Sequence, residues 1–146
     1  MTEQEMQTYF PQAFPKMFVG KYGGIAVGSG WSNILIQLCQ NIQHHLDWKN
    51  KDGEVVPQVI IEQVKEKFGT LRFYYQGGDE YIAGLVSMAE SMTGVTCEDC
   101  GDVGKNRNGS WVRVLCNTCE AEREANQAAR MAEYEQEKLL KQGYEQ

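Results

Sequence analysis

The sequence predicts an α+β fold, with two amphipathic helices on a small antiparallel sheet, then a four-cysteine module and a long C-terminal helix. Three observations predict it. Apolar residues recur at three- and four-residue steps over 31–47 and again over 79–93. β-Branched and aromatic residues concentrate between those stretches, over 55–75. Two Cys-x-x-Cys pairs, Cys97/Cys100 and Cys116/Cys119, follow the second helical stretch. The expected organisation is an α+β core with an N-terminal arm over 1–95, a four-cysteine zinc module over 96–120 and a polar helix over 121–146 that frays at its end.

Taken in order, the arm passes through Tyr9-Phe10-Pro11, Phe14-Pro15 and Met17-Phe18-Val19. Pro11 and Pro15 disfavour one continuous helix, so an irregular or short-helical arm tucks its aromatics onto the core. Glycines then punctuate Ile25-Ala26-Val27, a strand or a packed loop. Gly28-Ser29-Gly30-Trp31 leads into the first helix, whose buried face is Trp31, Ile34, Leu35, Leu38, Ile42 and Leu46. Ser29 or Ser32 can cap it. His44 and His45 fall in its last turn, where an imidazole suits the exposed carbonyls.

The stretch from Val55 to Tyr75 predicts a β-hairpin with its turn in 66–70 and Pro57 at a strand start or edge. Asp79 can cap the second helix, whose apolar face is Tyr81, Ile82, Leu85, Val86, Ala89 and Met92, with Gly94 as its stop. Asn108-Gly109 then marks a turn before a strand at 111–115. The second cysteine pair opens a long, alanine-rich polar helix near Asn117.

Four thiolates delivered by two short turns suit a tetrahedral ion, and the spacing is that of a zinc site with four cysteine ligands. Knuckle, hairpin and two ligands from a helix start make a treble-clef or zinc-ribbon-like module. With all four positions filled by Cys97, Cys100, Cys116 and Cys119, the Zn2+, one per chain, is of the structural kind; a catalytic zinc keeps a position open for water. The helix N-terminus places N–H groups near the thiolates and offsets their charge. Gly101 suits the knuckle turn. The fifth cysteine, Cys39, lies in an apolar helical stretch and reads as a small buried residue.

Bulk properties narrow the function classes. A net charge of −6 argues against a non-specific polyanion binder, while leaving room for a local basic face. An odd cysteine count fits a reducing compartment better than a disulfide scaffold. No basic-then-apolar leader opens the chain and no apolar run reaches bilayer-spanning length, so a cytoplasmic protein without a membrane partner is expected. No Ser/His/Asp or Cys/His nucleophile pattern and no deaminase signature is present, which favours a non-enzyme.

Two stretches are candidate ligand sites. Gly28-Ser29-Gly30-Trp31 sits at a helix start, where free N–H groups can hold a phosphate or carboxylate, although its glycines also serve a tight turn. Lys65, Lys67 and Arg72 form the densest basic group beside aromatics. In a hairpin they can meet an anion while Phe73, Tyr74 or Tyr75 stacks on a base, or they can simply protect a solvated sheet edge. The candidate ligand-binding residues are therefore Ser29, Trp31, Lys65, Lys67, Arg72 and Tyr74.

Three blocks stand out together: Gly28-Ser-Gly-Trp31, the run from Gln63 through Lys65-Glu-Lys67-Phe-Gly-Thr-Leu-Arg72 to Tyr74, and Cys97-x-x-Cys-Gly with Trp111 and Leu115-Cys-x-x-Cys119. In these the chain resembles a family of small zinc-binding proteins of bacteriophages, prophages and bacteria, over roughly residues 10–120. The resemblance implies an accessory or anti-defence gene product acting in a host cytoplasm. Its partner would be a host protein or a small anionic, nucleotide-like ligand that it binds or sequesters. The alternatives are a nucleic-acid-binding zinc protein acting on DNA or RNA and, less favoured, a nucleotide hydrolase.

Overall fold

The computed structural model describes residues 1–109 and 111–144 of the 146-residue chain. It divides into two units, Met1–Cys116 and Asn117–Gln146. The α+β class is the one the sequence predicts, but the sheet is mixed.

Helix α1 spans Glu3–Ala13 and starts where the Thr2 hydroxyl accepts the Glu5 N–H at 3.1 Å. Pro11 lies inside its last turn, so the Gln7 carbonyl loses its helical donor there. The helix persists because Met6 and Phe10 are buried, and Phe10 meets the rings of Tyr9, Phe14 and Phe18.

Strand β1, Ile25–Ala26, pairs parallel with β2, Ile60–Lys67, in the register Ile25↔Val64 and Ala26↔Lys65. Parallel pairing needs a long crossover, and the segment carrying α2, Ser32–Lys49, supplies it. The sheet order is β1-β2-β3, with β3 at Thr70–Gln76 antiparallel to β2. The two-residue turn between β2 and β3 holds Phe68 at φ 55° and Gly69 at φ 76°. Two left-handed residues make a type I′ turn, whose twist matches the strands it joins. The Glu66 carboxylate accepts the Gly69 N–H at 2.7 Å and pins it.

Val55 and Val56 do not extend β2 backwards as their composition suggested. Asn50 claims their backbone: its Oδ1 accepts from Val55 N at 2.8 Å and Val56 N at 2.9 Å, and its Nδ2 donates to the Val56 carbonyl at 2.9 Å. A side chain that occupies those groups removes them from a ladder. Pro57 accordingly precedes the sheet, and its carbonyl accepts from Gly78 N at 2.8 Å.

Helix α3, Glu80–Thr93, is capped by Asp79, whose Oδ1 accepts the Ile82 N–H at 3.0 Å. Ile82, Val86 and Ala89 are buried, whereas Tyr81 and Met92 are exposed. Tyr81 leaves the expected apolar face to stack on His45 at 4.2 Å. At the far end Thr93 Oγ1 accepts the Leu71 N–H at 3.1 Å and donates to the Glu90 carbonyl at 2.6 Å. This end of α3 supplies the β3 edge with an acceptor for one of its outward N–H groups.

The core joins the aromatics of the arm, Trp31, the Leu35-Leu38-Ile42-Leu46 face of α2, Val64, Leu71 and Phe73 of the sheet, and α3. Strands β4, Lys105–Arg107, and β5, Arg113–Leu115, form a separate antiparallel pair. Helix α4 runs Asn117–Tyr144.

Candidate metal centre

After α3 the chain makes a knuckle. The Gly101 N–H donates to the Cys97 carbonyl at 3.0 Å, and the Cys97 N–H donates to the Asp102 carbonyl at 2.7 Å. Gly101 sits at φ 85°, a conformation glycine adopts without strain. Strands β4 and β5 then return the chain to Cys116, and Cys119 lies in the first turn of α4. The Arg107 guanidinium donates twice to the Leu115 carbonyl, at 3.0 and 3.2 Å, fixing the peptide just before Cys116.

The four sulfur atoms all lie within 4.8 Å of one another, and Cys100 and Cys116 are 3.6 Å apart, Sγ to Sγ. A disulfide would bring two sulfurs to about 2.04 Å. A tetrahedral ion with metal–sulfur bonds of about 2.3 Å needs sulfurs about 3.8 Å apart. The donor set therefore fits a metal ion. Burial opposes ionisation of Cys97. Backbone N–H groups of Cys116, Cys100 and Asp99, joined by the Cys100 thiol, outweigh it and bring the Cys97 thiol down to about 7.

The knuckle is braced by Glu98, a buried acid. Its Oε2 accepts from Val114 N at 3.0 Å and from Arg113 Nε at 3.3 Å, while Arg113 Nη2 reaches Asp99 at 2.7 Å. Burial pushes the Glu98 carboxyl up, and the Val114 amide and Arg113 pull it back. Alternation along β5 was the available signal: it turns Arg113 away from the face of buried Val114.

The glycine turn belongs to this brace. Gly30 N donates to the Glu98 carbonyl at 2.7 Å, Ser29 Oγ to the Asp99 carbonyl at 3.1 Å, and Trp31 Nε1 to the Thr96 carbonyl at 2.9 Å. A Cβ at Gly28 or Gly30 would collide with the carbonyl oxygens of Glu98 and Cys97. Neither Ser29 nor Ser32 caps α2; Trp31 takes the N-cap position without a side-chain bond. Trp31 is fully buried, with its one polar atom bonded, and offers a ligand no surface.

The hairpin residues assemble differently. Lys65 lies directly across from Arg72, and the Lys65 ammonium is 5.6 Å from the ring of exposed Tyr74. Lys67 follows on the same face by strand alternation, its ammonium 5.6 Å from the Phe68 ring. Arg72 Nε is buried without a hydrogen-bond partner among the described residues. The tip rests on the module, because Gly69 lies against Val112 and Val114. Lys65, Lys67, Arg72 and Tyr74 thus share one face, whereas Ser29 and Trp31 belong to the knuckle.

His45 bonds Asp79 Oδ2 at 2.8 Å. Among the described residues, the four cysteines are the group placed to hold a metal.

No family model, no curated protein and no solved structure matches the chain. No helix among the described residues is long and apolar enough to cross a membrane.

Proposed function

We propose that this chain is a zinc-stabilised, non-catalytic binding protein whose β2–β3 face takes a small anionic, ring-bearing ligand of the nucleotide class. The carrying observation is Lys65 directly opposite Arg72, with Tyr74 exposed beside them. Like charges placed across a strand pair are destabilising. A phosphate between them turns that repulsion into two attractions, and Tyr74 supplies a stacking surface for the base. Four thiolates close the zinc's coordination, which supports a structural ion that holds the module beneath the hairpin tip.

The resemblance to phage and prophage proteins supports an accessory, anti-defence role in a host cytoplasm, with sequestration of a nucleotide signal as the matching activity. Blocking a host enzyme is the other role that resemblance supports. Titration calorimetry with a panel of nucleotides tests the ligand class. K65A/R72A should lose at least tenfold in affinity with no fall in melting temperature, with nucleotides recovered intact. Equal affinity in the variant would remove the hairpin from consideration, and turnover would replace sequestration with hydrolysis. Retardation of DNA or RNA that weakens steeply with salt would favour the nucleic-acid reading instead.

A further inference from the structure

The four clustered cysteines are not equally shielded. Cys97 and Cys116 are buried and Cys119 is half-buried, whereas Cys100 is exposed in the knuckle turn. Cys100 lines an open polar cleft of about 640 Å³ between the knuckle and the start of α2, with Ser29, Ser32, Asn33, Asp99 and Asp102 on its walls. Small solutes therefore reach it without unfolding. A thiol that senses oxidants combines solvent access with a second thiol near enough to resolve the oxidised sulfur. Cys116 is that second thiol, its Sγ 3.6 Å from the Sγ of Cys100. A disulfide of about 2.04 Å is one small closing movement of the two side chains away. Cys97 and Cys39 are fully buried and lack such access. Asp99 and Asp102 on the cleft wall favour a neutral oxidant over an anionic one. We propose that Cys100 is a peroxide-reactive site whose oxidation closes a Cys100–Cys116 disulfide and releases the zinc. Only the release step rests on the reading of the cluster as a zinc site.

The Cys100 thiolate attacks one oxygen of hydrogen peroxide. The O–O bond breaks and hydroxide leaves, giving a sulfenic acid. The Cys116 thiolate then attacks that sulfur, so that the S–S bond forms as the S–O bond breaks and a second hydroxide departs. The two sulfurs lose two electrons, the peroxide oxygens gain them, and solvent protonates both hydroxides to water. The ion is left with Cys97 and Cys119, half of its closed ligand set, and dissociates.

Titrating the zinc-loaded full chain with hydrogen peroxide tests this, with zinc read by a chromogenic chelator and cysteine states by peptide mass spectrometry after alkylation in denaturant. At the first equivalent, one zinc released per peroxide consumed is expected, with a Cys100–Cys116 bond and with Cys39, Cys97 and Cys119 alkylated. Dithiothreitol followed by zinc should restore the loaded protein. Cys100→His keeps a zinc-ligating side chain at the exposed corner but removes its thiol, so release should slow at least tenfold. Cys119→His, the matched control, should release at the rate of the unsubstituted chain. A bond joining a different pair, or no bond at all, overturns the proposal, as does equally fast release from Cys100→His. If Cys100→His fails to load zinc, the mapped bond decides alone. A chain that binds no zinc removes the metal reading by itself, and the mapped bond still decides this one.

Discussion

Gly30 shows how much a single position can carry. Its amide donates into the knuckle, and a methyl group on its α-carbon would meet the Cys97 carbonyl at impossible range. Gly30→Ala should therefore cost about 2 kcal/mol or more, read as a lower urea midpoint at unchanged slope. Trp31 depends on the same contact. Trp31→Phe keeps most of the buried ring but strips the Thr96 carbonyl of its donor, for an expected loss of about 1–3 kcal/mol in the same measurement. The residue-scale signals legible in sequence were those with local meaning: four cysteines at ligand spacing and a glycine after the first pair. The need for glycine at positions 28 and 30 was not legible. It arises from the carbonyls of Glu98 and Cys97, distant along the chain and brought against the glycines by the knuckle.

At the scale of elements, Asp79 joins two helices. Its carboxylate caps α3 and bonds His45 near the end of α2. The His45 bond, chiefly, with the Ile82 amide and the charges of His45 and Lys49, outweighs burial and holds the acid below its ordinary 3.8. A depressed folded value means the stabilisation is complete above the ordinary value and drains away as pH falls below it through the folded one. Asp79→Ala should cost about 1 kcal/mol at neutral pH and flatten that acid limb of the stability profile, followed by thermal melts from pH 6 to 2. The type I′ turn gives a prediction of opposite sign. Phe68 occupies a left-handed position while 69% exposed, so Phe68→Asn should stabilise by about 0.5–1 kcal/mol in denaturant titration. Periodicity and turn chemistry made α2, α3 and the β2–β3 hairpin legible, because each is a local pattern. Strand β1 was not, since two residues carry no period and its parallel partner lies across a whole helix. The lost strand at 55–56 has a similar cause: Asn50, outside the run, takes its hydrogen bonds.

For the whole molecule the metal is the deciding variable. One equivalent of zinc per chain is expected in elemental analysis. Chelation should lower the melting temperature and expose 96–116 to protease before the core, because the buried apolar side chains among its described residues are Val114, Leu115 and two of the ligand cysteines themselves, Cys97 and Cys116. Adding zinc back should restore both. The cysteine spacing alone located this module and the long helix after it. That the module would underlie the hairpin tip was not legible, since contact between Gly69 and Val112 belongs to packing and not to pattern.

The hydrogen bond from Gly30 to the Glu98 carbonyl has a spectroscopic consequence. Its proton can exchange with solvent only when the knuckle lifts away from the start of α2. Hydrogen–deuterium exchange at that one amide should therefore track zinc occupancy, slow in the loaded protein and fast after chelation, while amides in the middle of α2 stay slow. A backbone proton outside the cysteine module thus serves as its occupancy gauge.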